Sequence, residues 1–488
     1  MKKIFIFIFL FFSFHVFGQD VTYPKLTKKQ FKEDFDYFYK VMVDMNPQIE
    51  LVKKVTGKDI LKDINSLRSQ VDTITNVQSF YNLINRATSL CLDKHLSLTI
   101  PWIEVGDIDS NVVKLNEFYS EQSRGISFAG KITKYYKGKY YLYVPTDLEN
   151  QDEEKIDELE VGTEFISINN IPIDSFSFVS KELAWDKNNN KFYNHCIATH
   201  PNDTYKVSYN GKEKIIEKGA CWNFKKGNSP IDITPKVIYF NQDKILFIRI
   251  PAMNTDFIDY FKSEIPKVAK GKIIDKVIID LRLNEGGNDL VWQEVLSLII
   301  SDSIGFSQRF LLKNTELIRK YTKLYIDDDL SEYPIIKLPF LDNVEFIDAK
   351  TSELRTIKPD SNSINYNGKI YLLQDALSYS STLAFVAAAN TLPNKFVTIG
   401  ENTGVIGGQA ATPYIIMLPN SKITFRMNCM LDGNNVNKLY DLYQDRLTYP
   451  MEIDPYEYSK CIQSKKRYSK KFLYNEDSMF KKVLEIKD

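Results

Sequence analysis

Apolar residues recur three and four positions apart between Leu26 and Leu92. Phe31, Phe35, Phe38, Tyr39 and Met42 form one set, Ile60, Ile64, Leu67 and Val71 a second, and Phe80, Leu83, Ile84, Ala87 and Leu90 a third. That spacing predicts helices with one buried face, and Thr27 ahead of Gln30 marks a helix start. From about Gly125 the period falls to two. Segments 134–136 and 140–144 flank a Lys137-Gly138 turn, 162–173 reads as two strands around a polar turn, and 204–213 is a hairpin through Asn210-Gly211. The acidic run 149–160 among them is expected to be a solvated helix.

After Trp222 the texture changes again. Strand-like runs at 244–250, 276–281 and 369–374 alternate with helical patterns at 256–268, 290–300 and 381–390. Wholly apolar strands separated by helices predict a sheet buried on both faces, in an α/β layered domain. Residues 318–365 break the rhythm as an insertion, and 414–418 with 423–427 form a hairpin across Pro419-Asn420. No repeat of 20 to 50 residues is visible.

Composition narrows the function classes. With 43 % hydrophobic and 26 % charged residues the chain is folded, and 488 residues suggest about three domains. Lys and Arg (63) balance Asp and Glu (63), so nothing asks for nucleic acid or an anionic membrane. Lys2 and Lys3 precede an apolar run over 4–17 that closes on Gly18. This is the pattern of a signal peptide over 1–18, too short to span a bilayer, so an exported, periplasmic or extracellular protein without a membrane span is expected. Cys91, Cys196, Cys221, Cys429 and Cys461 form no CxxC pair and read as buried thiols or one disulfide. His195 and His200, five apart with no glutamate between, do not make a helical zinc pair, and neither metal nor cofactor is called for.

Three places carry chemistry. Asp280-Leu281-Arg282-Leu283-Asn284-Glu285-Gly286-Gly287 ends a buried strand just before a helix. Paired glycines there free backbone N–H groups for a bound oxyanion, although glycine pairs also punctuate ordinary turns. Ser378, Ser380, Ser381 and Thr382 crowd a second strand-to-helix turn, where a serine is exposed as a nucleophile or caps the helix. In Asp93-Lys94-His95 the imidazole is a candidate general base.

The order of these segments, with GxxFxSINxxPI at 162–173, FIRIP at 247–251 and IIDLRxNxGG at 278–287, resembles the tail-specific, or C-terminal processing, serine proteases. The resemblance implies an α/β fold: a ClpP/crotonase-like core over 223–465 with the insertion at 318–365. It also implies a helical cap over 19–115, an inserted PDZ-like domain over 116–222 and a C-terminal tail over 466–488. By register Ser380 is the nucleophile, with Ser381 and Gly286 or Gly287 giving oxyanion N–H groups, and Gly125, Ile126 and Phe128 binding peptide. The lysine base of the bacterial enzymes falls on Ile406, so the likeness is to the tricorn-type branch, with His95 as base. Lys94 stands where that branch has an orienting serine, and Gln444 or Asp445 stands near its glutamate, with Asp445 the carboxylate available. The implied activity is hydrolysis of peptides or unfolded protein tails through an acyl-enzyme, with activity rising through about pH 6 to 7. A decayed peptide-binding scaffold of the same fold is the alternative, motivated by the changed positions. An esterase of α/β-hydrolase type lacks its GxSxG.

Overall fold

A computed structural model describes residues 25–487 apart from short stretches, chiefly 102–108, 124–129, 150–154, 177–182, 200–203, 217–220, 223–232, 351–354 and 406–412. The expected signal peptide, the Gly125, Ile126 and Phe128 loop and Ile406 lie outside the described residues.

The core is a six-stranded sheet: β1 Lys236–Phe240, β2 Ile245–Arg249, β3 Lys276–Asp280, β4 Ile370–Gln374, β5 Phe396–Gly400 and β6 Tyr449–Pro450, in that spatial order. β1 is antiparallel to β2 and the remaining neighbours are parallel. Parallel neighbours require crossovers, and helices α1 Ile258–Ala269, α2 Leu290–Ser297 and α3 Ser381–Asn390 lie in them. Successive strand residues point to opposite faces and split between two cores. Leu246, Ile248, Ile279 and Leu372 pack with Phe261, Trp292 and Phe385 of the three helices. Trp292 and Phe385 stack at 4.9 Å and 6°. Ile245, Phe247, Ile278, Tyr371 and Ile399 pack instead with Met479, Phe480 and Val483.

Those last three residues lie in the stretch expected as a tail. Helices Lys470–Asn475 and Ser478–Glu485 instead cover the second face of the sheet. Their apolar stripe needs burial, and Asp477 pins them through Arg282, 2.8 Å away with both side chains buried.

The N-terminal helices form as expected, with Thr27 and Gln30 in a reciprocal capping box on Lys28–Met45. Phe35, Phe38 and Met42 share one core with Leu311, Phe346 and Ile347 and with Ile416, Phe425 and Met427 of the late hairpin. From Ile318 to Ala349 the expected insertion thus shares a core with the first helices and the hairpin, whereas Ile357 and Ile364 pack with the sheet and its helices. A β-rich segment runs from Thr133–Tyr136 to Lys212–Ile216 around its own core of Tyr140, Leu142, Phe165, Tyr205 and Val207. The acidic run is not a helix: Thr146–Glu149 pairs with Lys155–Leu159. It has too few apolar residues to give a helix a stripe to bury, and a strand ladder satisfies its backbone instead.

Candidate active site

β4 ends at Gln374, and a short turn leads to Ser380 at the start of α3. Ser380 sits at φ 55° and ψ −123°. A side-chain-bearing residue there stores about 1–3 kcal/mol of strain, sustained only where surrounding structure enforces it. The hydroxyl cluster resolves into two uses. Ser378 Oγ donates to Leu281 O at 3.1 Å, Thr382 Oγ1 to Asn284 O at 3.0 Å, and Ser381 Oγ to Asp289 Oδ1 at 2.5 Å. Ser380 alone of the four makes no such bond among the described residues and does not cap the helix.

The glycine turn faces it. Burial alone would push the Asp280 carboxyl up, but the Arg282 and Arg249 guanidiniums overcome this and hold it below its usual range. This anchors the end of β3. Beyond it, Asn284 organises the turn. Its Nδ2 donates to Ile250 O (2.9 Å), its Oδ1 accepts the Gly286 N–H (2.9 Å), and its carbonyl accepts the Tyr379 N–H (3.0 Å). Gly286 (φ +98°) lies where a Cβ would meet Ser380 Cβ at 2.5 Å, and Gly287 (φ +137°) where one would meet Met253 O at 2.2 Å. The two glycines therefore differ from the sequence expectation that either could serve. The Gly286 N–H is already engaged by Asn284, whereas no acceptor meets the Gly287 or Ser381 N–H among the described residues.

His95 arrives from the other side. The short strand Ser97–Leu98 pairs with Phe425 and Arg426, and Asp93 accepts the His95 main-chain N–H at 2.9 Å and the Asn428 N–H at 3.2 Å. The imidazole is 6 % exposed, and its centroid lies 4.8 Å from that of Tyr379, the residue before Ser380. The fold thus brings His95 to the nucleophile turn, without a hydrogen bond between imidazole and Ser380 hydroxyl in this state. Burial, then the Arg426 and Lys94 charges, push the imidazole down to about 3.

Asp445 stands elsewhere. Its carboxylate accepts the Thr403 N–H (2.7 Å), Thr403 Oγ1 (3.1 Å) and Gln374 Nε2 (2.9 Å). It holds the loop after β5 rather than His95, because long-range packing of 402–404 against 443–445 claims it first. Lys94, at the expected serine position, places its ammonium 4.2 Å over the Tyr379 ring.

Sequence reasoning missed two groups. Asn284 lay inside the quoted motif, where its side-chain role has no local signature. Lys134, which a hairpin pattern reads as solvated, is 1 % exposed and bonds both carboxylate oxygens of Glu401, at 2.7 and 2.9 Å. This buried pair joins the β-rich segment to the loop after β5, as do His195 Nε2 on Asn402 O and Leu183 N–H on Gly404 O (2.7 Å). Burial works against the Glu401 charge, but Lys134 holds its carboxyl below the usual range.

Two cavities lie along the helices that follow the two turns. One of about 420 Å³ begins at Asn288, next to Gly287, and is walled by Leu290, Trp292, Gln293 and Ile357. Another of about 250 Å³ lies along α3 between Leu383, Val386, Asn390 and Arg446; neither Ser380 nor His95 lines it. The first is the one continuous in sequence with the glycine turn. No helix among the described residues is long and apolar enough to cross a membrane.

The chain resembles known proteins in fold and, over part of its length, in sequence. Residues 244–431 match the model of peptidase family S41. Among solved structures, mature CPAF complexed with lactacystin is 12 % identical with a TM-score of 0.53, over 94 % of this chain and 98 % of that one. A mutant CPAF is also 12 % identical, with a TM-score of 0.54 over 94 % and 99 %. The photosystem II D1 C-terminal processing protease is 10 % identical with a TM-score of 0.39, over 91 % and 99 %. No curated protein matches in sequence. The CPAF likeness concerns the fold, while the family match spans β2 to β5, the Gly286-Gly287 turn and Ser380. Over residues 244–431 the chain is similar to peptidase family S41, and that similarity supports a serine-type peptidase.

Proposed function

We propose that this peptidase is exported and cleaves internal peptide bonds of peptides or unfolded protein tails, with Ser380 as nucleophile and His95 as base. The observation that carries the reading is the backbone of Ser380: strained, at the start of α3, with a hydroxyl withheld from capping while its three neighbours are bonded. Such a turn presents an oxygen to substrate. In the reaction the Ser380 hydroxyl attacks the scissile carbonyl as its proton passes to His95. The oxyanion is met by the N–H groups of Gly287 and Ser381, and the imidazolium returns the proton to the leaving amine. Water then repeats the sequence on the acyl-enzyme. Because no hydrogen bond joins the two side chains in this state, substrate binding has to bring the imidazole onto the hydroxyl, as apo sites commonly require.

The substrate strand runs in the cavity between Asn288 and Ile357, whose polar and apolar walls suit a peptide rather than a small charged ligand. The β-rich segment acts as the PDZ-like domain and the N-terminal helices as a cap; the buried contact of the segment with the loop after β5 and the core shared by the helices support these roles. Export rests on residues 1–18 of the sequence. The test uses a fluorophosphonate probe and an unstructured peptide. Labelling at Ser380 is expected, with turnover abolished in Ser380→Ala and His95→Ala. An unlabelled Ser380 in folded protein would sink the reading in favour of a binding scaffold.

A further inference from the structure

We propose that Tyr379 is the positioning residue of this site, its ring holding the His95 imidazole beside Ser380 in the place of a hydrogen-bonding side chain. The proposal rests on the catalytic reading above. The backbone of Tyr379 is fixed to the glycine turn, its N–H donating to Asn284 O at 3.0 Å and its carbonyl accepting from Thr382 N at 3.2 Å. Its ring is 7 % exposed and cannot swing freely. One neighbour of that ring is the His95 imidazole, at 4.8 Å and 39°; another is the Lys94 ammonium, 4.2 Å above it. Lys94 and His95 are consecutive, so a single ring grips both side chains of one dipeptide, whose backbone is tied in turn to Asp93.

The expected orienting carboxylate does not reach the base. That carboxylate, Asp445, is engaged by Thr403 and Gln374, and no hydrogen bond reaches the imidazole among the described residues. Aromatic pairs favour offset and tilted geometries, and a cation over the same ring adds an attraction that fixes the ring in turn. The ring thus does by contact what a carboxylate does elsewhere by hydrogen bonding. A near-attack geometry depends on this, since small misplacements of a reacting group are costly in rate.

The test compares Tyr379→Leu with Tyr379→Phe in the full chain, with thermal unfolding as a folding control. Tyr379→Leu is expected to lower kcat by roughly 10- to 100-fold with KM little changed, and Tyr379→Phe, which keeps the ring, to restore most of it. The acid limb of kcat/KM is expected to move up in Tyr379→Leu, as water relieves the burial of an imidazole that Lys94 and Arg426 face, and to stay in place in Tyr379→Phe. Wild-type kcat in folded Tyr379→Leu overturns the proposal, as does an equal loss in both variants, which would assign the effect to the hydroxyl. Should Tyr379→Leu fail to fold, Lys94→Met reads the same clamp: a several-fold fall in kcat is expected, and an unchanged kcat overturns it. Failure of the catalytic reading looks different, because then Ser380 is not labelled or His95→Ala turns over.

Discussion

Gly286 approaches Ser380 so closely that a methyl group on its Cα would sit 2.5 Å from the Ser380 Cβ and 2.7 Å from the Tyr379 carbonyl oxygen. Both partners are backbone or the first side-chain atom, so neither can rotate away. The positive φ of +98° adds strain of its own to any side chain. The glycine is there for contact rather than for binding the oxyanion, since its N–H already donates to Asn284.

Gly286→Ala is therefore expected to push the serine turn off the glycine turn. Turnover should fall at least ~100-fold, as when a reacting group is displaced by about 1 Å, and the midpoint of thermal unfolding should drop. Peptide kinetics together with a melting curve check this. An Ala variant with native kcat/KM would show that the two turns are free to separate during catalysis.

Burial of His95 changes the pH dependence expected from its sequence. An ordinary imidazole would put the acid limb of activity between about pH 6 and 7. Held down to about 3, His95 is already neutral there, so kcat/KM should stay level through pH 6 and fall only as pH approaches that depressed value or the fold opens. Stability carries the matching sign. As pH drops below ~6.5 the unfolded chain takes up the proton first, so this contribution is whole above 6.5 and declines by ~1.4 kcal/mol per pH unit toward the folded value. Urea midpoints at pH 7.5 and 5 should differ less in His95→Gln than in the wild type; an equal difference would place the acid sensitivity on other residues.

Sequence patterning captured what depends on neighbours along the chain. The strand-helix rhythm after Trp222, the capping box at Thr27, the Asn210-Gly211 hairpin and the start of α3 at Ser381 are local, and they appear where period and punctuation put them. The glycine turn and the hydroxyl cluster were legible for the same reason. The use of Asp445, the burial of Lys134 and the depressed value of His95 were not. Each is decided by residues tens to hundreds of positions away: Thr403 and Gln374 for Asp445, Glu401 for Lys134, and for His95 burial by the surrounding fold and then the Arg426 charge. The tail expectation failed similarly, since 470–485 becomes core only once β1 to β5 present a face to cover.

Asp445→Asn separates a structural from a catalytic role. The carboxylate accepts three hydrogen bonds from Thr403 and Gln374, and an amide in its place turns one donor toward another. Stability should fall by about 1–3 kcal/mol, while the acid limb of kcat/KM stays where it was. Chemical denaturation and a pH–rate profile on the same preparation check this. A shifted limb at unchanged stability would return Asp445 to His95.

Lys134 and Glu401 provide the sharpest stability test, because both are buried and the pair bridges two parts of the molecule. Lys134 lies on the hairpin of the β-rich segment, and Glu401 follows β5 and also accepts the Ile453 N–H at 3.1 Å. Removing one partner strands a charge with little water to take it, at a cost of about 3–5 kcal/mol, whereas removing both leaves only a packing defect. Lys134→Met should therefore destabilise strongly, and Lys134→Met combined with Glu401→Gln should recover much of the loss, so that the cycle reports a large coupling. Denaturant midpoints of the four proteins measure it. Additive losses in the double variant would mean that Lys134 contributes through packing over Tyr458, which its ammonium approaches at 4.2 Å, and that the charge pairing is incidental to holding the segment on the core.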